Sequence, residues 1–208
     1  EFLDSFIDGA SMGEEKIAVL GHSAGGGMAM ALFFRFPQRV ECLGLLNTGY
    51  TMRDSLFRKV FWSASPPFVE AAFHPAAKFF ARPAVNALSY AAAAYYGSDP
   101  RESRRWFHSV YRTRGPVARC EIEEIMRHDI RKFLYRINIP TLVIGGTKDF
   151  LAPGRQSVVM GKLIPNAETH ILPINHLGKM FRSELINPIL IDFLARHYPA
   201  GEPAIAAQ

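Results

Sequence analysis

Ser23 stands between Gly21 and Gly25 in the run IAVLGHSAGGGMAMALFF, which covers Ile17 to Phe34. A serine hydroxyl is a poor nucleophile unless a base takes its proton and a third group orients that base. The oxyanion made by its attack on a carbonyl also needs hydrogen-bond donors. The run opens as an apolar, strand-like segment, breaks at Gly21, and continues as a helix rich in Ala, Met and Phe. Ser23 therefore falls on a strand-turn-helix corner. Such a corner exposes the hydroxyl at the end of a sheet and puts the Ala24 N–H at a helix N-terminus, where negative charge is stabilised. It also calls for small neighbours, which Gly21 and Gly25 supply. His22 lies on the same corner, directed away from the hydroxyl, and Gly26 and Gly27 are expected to let the helix lie close to neighbouring backbone.

The Gly-x-Ser-x-Gly spacing is weak by itself. With Gly and Ser each at roughly 7% of residues, it arises by chance in several per cent of chains of this length, so its placement has to carry the argument. The alternative is a glycine-rich turn around a phosphate. A P-loop requires Gly-Lys-Ser/Thr and a dinucleotide loop requires Gly-x-Gly-x-x-Gly, and the residues after Gly21 match neither.

Seven histidines compete for the role of base. His74, His108 and His128 fall in a helical stretch, His170 inside a strand pattern, and His197 near the end of the last helix. Only His176 lies in a loop just past a strand end, from which a ring could reach across to Ser23. Among the acids, Asp149 alone follows a buried strand and a glycine turn, whereas Asp54, Asp99, Asp129 and Asp192 sit in the helical stretch or on helices. Ser23, Asp149 and His176 are the candidate catalytic residues, with the Ala24 N–H as one oxyanion donor.

The elements that must position these residues are legible as hydrophobic periodicity. FLDSFIDGASM has the apolar spacing of a helix end. KIAVLG, VECLGLLNTG, IPTLVIGGTKD and AETHILPINH are short apolar runs bounded by turn residues, and each is expected to be a strand. Met28 to Phe36 is helical and stops before Pro37, and INPILIDFLARHY reads as a terminal amphipathic helix. Strands alternating with helices imply a mostly parallel sheet flanked by helices, an α/β fold. The stretch 51–135 breaks this rhythm. It shows no convincing strand, is rich in Phe, Ala, Tyr and Arg, and reads as a helical insertion between two strands of the sheet. The expected organisation is thus 1–50 and 136–199 as one core, 51–135 as the insertion, and 200–208 as a frayed tail.

The chain has 208 residues and a net charge of +5. The arginines between Arg101 and Arg136 are interspersed with Glu102, Glu121, Glu123, Glu124 and Asp129, the pattern of a solvated helix face rather than of an acidic-partner site. Nothing resembles a nucleic-acid module. No apolar run reaches the roughly 18 residues of a membrane-spanning helix. The only cysteines, Cys42 and Cys120, make neither a disulfide framework nor a zinc cluster. The default expectations are a cytoplasmic setting, no metal or other cofactor, and a small-molecule partner.

On these residues the chain resembles the α/β-hydrolase fold family, in its capped serine-hydrolase branch. GHSAGG resembles the nucleophile elbow, IPTLVIGGTKDFLAP the strand that carries the acid, and INHLGKM the histidine loop, and the likeness runs from about Glu14 to Tyr198. The family's order of Ser, then acid, then His agrees with Ser23, Asp149 and His176. The resemblance implies a serine esterase or related acyl hydrolase working through an acyl-enzyme. It leaves open a C–C hydrolase, a cofactor-free perhydrolase, or a slow ligand receptor on the same scaffold. A serine nucleophile argues against the epoxide-hydrolase and dehalogenase branches. The family also places several strands before the elbow, and one of the loops between them donates a second oxyanion N–H. This chain offers one helix and one strand up to that point. It is therefore expected to be the C-terminal portion of such a fold, a fragment inactive alone, with the elbow strand at the edge of its sheet. The 51–135 insertion takes the place of the cap domain, which sets the substrate. Phe57, Phe61, Trp62, Phe68, Phe73, Tyr90, Tyr95 and Tyr96 could line an aromatic pocket there or simply pack the cap.

Overall fold

The computed structural model of the chain describes residues 16–54, 66–68, 70–96 and 100–198. The initial helix and the terminal tail expected from the sequence lie outside the described residues. The four expected strands form at the expected places: β1 Ile17–His22, β2 Val40–Leu46, β3 Thr141–Gly146 and β4 Ala167–Leu172. They make one sheet in the order β1-β2-β3-β4, with every neighbouring pair parallel. Among the described residues β1 pairs on one side only, with β2, so it is an edge as anticipated.

Among the described residues the α-helices include α1 (Ala24–Arg35), α2 (Pro75–Tyr96), α3 (Pro100–Tyr111), α4 (Gly115–Arg127), α5 (Gly154–Leu163), the short α6 (Gly178–Phe181) and α7 (Ser183–His197). α1 packs on β1 and β2, and α5 on β3 and β4, while α7 lies against β2 and β3. From Cys42 onward the side-chain alternation of the central strands separates two cores, and the irregularity in the β1–β2 register between Val40 and Cys42 puts Val40 on the same side as Leu43. Val40, Leu43 and Leu45 of β2 join Val143 of β3, Met30 and Phe33 of α1, and Met160 of α5. Cys42, Leu46, Leu142 and Ile144 instead join Ile186 and Phe193 of α7. β3 is buried at all six positions, which is why TLVIGG reads as a continuous apolar run instead of an alternating one. α7 starts before Pro188 and carries it internally, so the terminal helix is longer than its apolar run indicated.

The chain divides into two compact units. The first comprises Glu1–Tyr50, Ile130–Lys179 and Ser183–Gln208 and contains the whole sheet. The second comprises Thr51–Asp129 with Met180–Arg182. In the second unit α2 packs against α3 through small residues. Ser89 and Ser103 are fully buried, and the Ser103 hydroxyl donates to the Ser89 carbonyl at 2.8 Å. Arg119 pairs with Glu70 and Glu123 at the surface, in keeping with a solvated charged face whose pairs contribute little individually.

Candidate active site

A parallel sheet turns all its carboxyl ends to one side, and that side is where ligands of open α/β sheets bind. Ser23 directly follows β1, Asn47 directly follows β2, Asp149 lies three residues past β3, and His176 lies four residues past β4. The strand order therefore sets one polar side chain per strand along a single rim of the first unit.

The corner at Ser23 is tight. Its φ is 56° and its ψ −123°, a sparsely populated positive-φ conformation, of the kind that costs on the order of 1–3 kcal/mol. The Ser23 N–H donates to the Leu46 carbonyl at 3.0 Å, tying the corner to the end of β2. A Cβ on Gly21 would sit 2.3 Å from the Gly25 carbonyl oxygen, so glycine is required there. Gly25 behaves otherwise than its place in the motif suggested, since a Cβ there meets nothing within 4 Å. The close approach expected at Gly26 is present, but to a side chain rather than to backbone: a Cβ there would lie 2.0 Å from Thr48 Oγ1. Ala24 opens α1, so its N–H is one of the first-turn donors without an intrahelical acceptor.

The three sequence-predicted side chains are brought together. His176 Nε2 lies 2.8 Å from Ser23 Oγ, and His176 Nδ1 lies 2.9 Å from Asp149 Oδ2 and 3.1 Å from Oδ1. An acid on Nδ1 keeps the proton on that nitrogen and leaves Nε2 free to accept from the serine hydroxyl. The Asp149 side chain is fully buried and that of His176 is 15% exposed, so the ion pair formed when the ring takes a proton is shielded from water. The arrangement can abstract a proton from Ser23 and hold the resulting positive charge. No group of histidine, cysteine and acidic side chains among the described residues could hold a metal ion.

The profile of the alpha/beta hydrolase fold family matches residues 1–183. The chain belongs to that family. Among relatives of this α/β hydrolase, "Putative carbamate hydrolase RutD" of Caulobacter sp. (strain K31) is 25% identical over 194 residues, covering 89% of this chain and 68% of the relative. The "2-hydroxymuconate semialdehyde hydrolase" of Pseudomonas putida is 25% identical over 190 residues, covering 89% of this chain and 64% of the relative. Among solved structures, the enol-lactonase from Burkholderia xenovorans LB400 superposes with a TM-score of 0.73 at 22% identity, covering 93% of this chain and 70% of the other. That likeness shows the fold.

One residue of the α/β hydrolase site had no assigned part in the sequence reading, and a second had a place on the elbow but no partner. Asn47 is fully buried, and its Nδ2 donates to Asp149 Oδ2 at 2.8 Å. Asp149 Oδ1 accepts from the Ala152 N–H at 2.8 Å, so each carboxylate oxygen has a donor besides the imidazole. Asn47 holds φ at 45°, a conformation asparagine tolerates better than most residues. The available signal was its place, a polar residue immediately past an apolar strand run. His22 is the second. Burial above all pulls its pKa down from 6.5 to about 4, with smaller contributions from Lys179 and His176, against the raising effect of its bond to the His176 carbonyl.

Phe57, Phe61 and Trp62 lie outside the described residues, as does the Tyr96 side chain. Phe68, Tyr90 and Tyr95 are exposed, and Phe73 has the Lys78 ammonium 5.2 Å from its ring centre. No helix among the described residues is long and apolar enough to cross a membrane.

Proposed function

We propose that this α/β hydrolase is a serine hydrolase that cleaves a small carboxylic ester or related acyl substrate. The observation that carries the reading is the unbroken line from Ser23 Oγ to His176 Nε2 at 2.8 Å and from His176 Nδ1 to Asp149 Oδ2 at 2.9 Å. In the first step Ser23 Oγ bonds to the carbonyl carbon, its proton passes to His176 Nε2, and the carbonyl oxygen becomes an oxyanion that the Ala24 N–H stabilises. Collapse breaks the bond to the leaving oxygen, which takes the proton from Nε2 and departs as the alcohol. Water then attacks the acyl-enzyme, giving one proton to Nε2. That proton returns to Ser23 Oγ as the carboxylic acid leaves. Asp149 remains ionised throughout, fixing the ring and its charge.

A second reading keeps the same residues and replaces the ester by a carbon–carbon bond next to a ketone. It is favoured by the relative named 2-hydroxymuconate semialdehyde hydrolase. Both readings require Ser23. Ser23→Ala is expected to abolish labelling by a fluorophosphonate probe and nearly all hydrolysis of p-nitrophenyl acetate. His176→Ala should be about as damaging, because members of such a unit are not additive. Turnover surviving in Ser23→Ala would overturn both readings.

A further inference from the structure

His176 belongs to a loop that leaves β4 at one edge of the sheet, while Ser23 lies at the end of β1, three strands away. At roughly 4.8 Å between neighbouring strands, the loop must reach back across about 14 Å. It does so carbonyl by carbonyl. Leu172 and Ile174 accept from the Thr147 and Lys148 N–H groups, just past β3, at 2.9 and 3.0 Å. The Asn175 carbonyl accepts from Asn47 Nδ2, just past β2, at 3.2 Å. The His176 carbonyl lies 2.7 Å from His22 Nε2, at the end of β1. The loop thus has an anchor at the end of each strand it crosses, and His22 is the last. Consecutive residues on the elbow hold the same histidine, His22 by its carbonyl and Ser23 by its ring.

We propose that His22 is a positioning residue for the hydrolytic reaction, acting through the hydrogen bond from its Nε2–H to the His176 carbonyl. This rests on Ser23 and His176 being nucleophile and base. The geometry explains why an imidazole should occupy the residue before the nucleophile. The donor must reach past the corner to a carbonyl on a loop from the far side of the sheet, and its ring also packs on the His176 ring, with centroids 5.0 Å apart. The groups around it are His176, Lys179 and Asp149. Burial above all, with the nearby Lys179 ammonium, keeps the ring neutral at ordinary pH. A neutral ring avoids placing a second positive charge beside His176 when that residue is protonated in the reaction.

Two substitutions of similar size separate anchoring from packing. His22→Leu fills the space without a donor, and His22→Gln keeps an N–H near the Nε2 position. His22→Leu is expected to lower kcat for p-nitrophenyl acetate by about 10- to 100-fold with KM little changed, since a misplacement on the order of 1 Å has that effect. It should slow fluorophosphonate labelling in parallel, and the downfield proton resonance of the His176–Asp149 bond should broaden. His22→Gln should recover most of the lost kcat even if its unfolding midpoint is no higher than that of His22→Leu. Equal kcat in His22→Leu and the unsubstituted protein would overturn the proposal, as would equal loss in the Leu and Gln variants. Ser23→Ala run alongside keeps the two ideas apart. If it loses turnover while His22→Leu does not, only the positioning role fails. If it retains turnover, the underlying assignment fails as well.

Discussion

Asn47 and His176 donate to the same oxygen of Asp149. Asn47 Nδ2 lies 2.8 Å and His176 Nδ1 2.9 Å from Oδ2. The amide comes from the end of β2, the strand between the one that carries Ser23 and the one that leads to Asp149. It fixes the rotation of the carboxylate, and through its second bond, to the Asn175 carbonyl, it also holds the loop that carries the imidazole. A buried carboxylate that lost this donor would be left with one partner fewer, a loss that costs about 1–3 kcal/mol.

Asn47→Ala is therefore expected to lower kcat by roughly 10-fold or more, because the base is less well oriented. Chemical denaturation should show a loss of about 1–3 kcal/mol in stability. Asn47→Val should be worse for stability than Asn47→Gly, because a β-branched side chain is an outlier at the observed φ of 45°.

The strain at Ser23 gives a prediction with the opposite sign for stability. Ser23→Gly removes the Cβ from a residue at φ 56°. It should be more stable than Ser23→Ala by about 1 kcal/mol, the relief of positive-φ strain less the added chain entropy of glycine. Both variants should be inactive. Equal thermal midpoints would show that the elbow is not strained.

Gly25 and Gly26 are neighbours with different tolerances. Gly25→Ala places a Cβ in open space and should leave stability nearly unchanged. Gly26→Ala would set a Cβ 2.0 Å from Thr48 Oγ1 and 2.6 Å from its Cγ2, an overpacking that costs about 1–3 kcal/mol. Adding Thr48→Ala to Gly26→Ala should recover part of that loss, and a double-mutant cycle measures how much.

His22 and His128 make stability depend on pH in one direction. Burial holds the pKa of each below the ordinary histidine value, to about 4 for His22. Between pH 6.5 and about 4 the unfolded chain binds a proton at His22 that the folded chain does not. The contribution of His22 to folding stability is thus fully present above pH 6.5, falls as pH is lowered through that window, and changes no further below about pH 4. Urea midpoints at pH 7 and pH 4.5 should differ less in His22→Gln than in the unsubstituted protein.

The parts that were legible in the sequence are those whose cause is local. KIAVLG and TLVIGG are apolar because those strands are covered, and an apolar run between turn residues declares itself without knowledge of its neighbours. Ser23, Asp149 and His176 could be named because each stands just past such a run, and glycines mark the corner at Ser23. What the tertiary structure decided depends on which strand lies beside which. Asn47 looked like an ordinary turn residue after VECLGLL, since nothing near it in the chain shows that β2 sits between β1 and β3. Only that order, with all strands parallel, puts its amide against Asp149. The local pattern likewise placed a close approach to backbone at Gly26, but the contact there is with the side chain of Thr48, which arrives from the end of the neighbouring strand. His22 was readable as part of the elbow. Its partner is 154 residues away in sequence, on a loop whose path over the sheet is set by long-range hydrogen bonds that leave no periodicity in the chain.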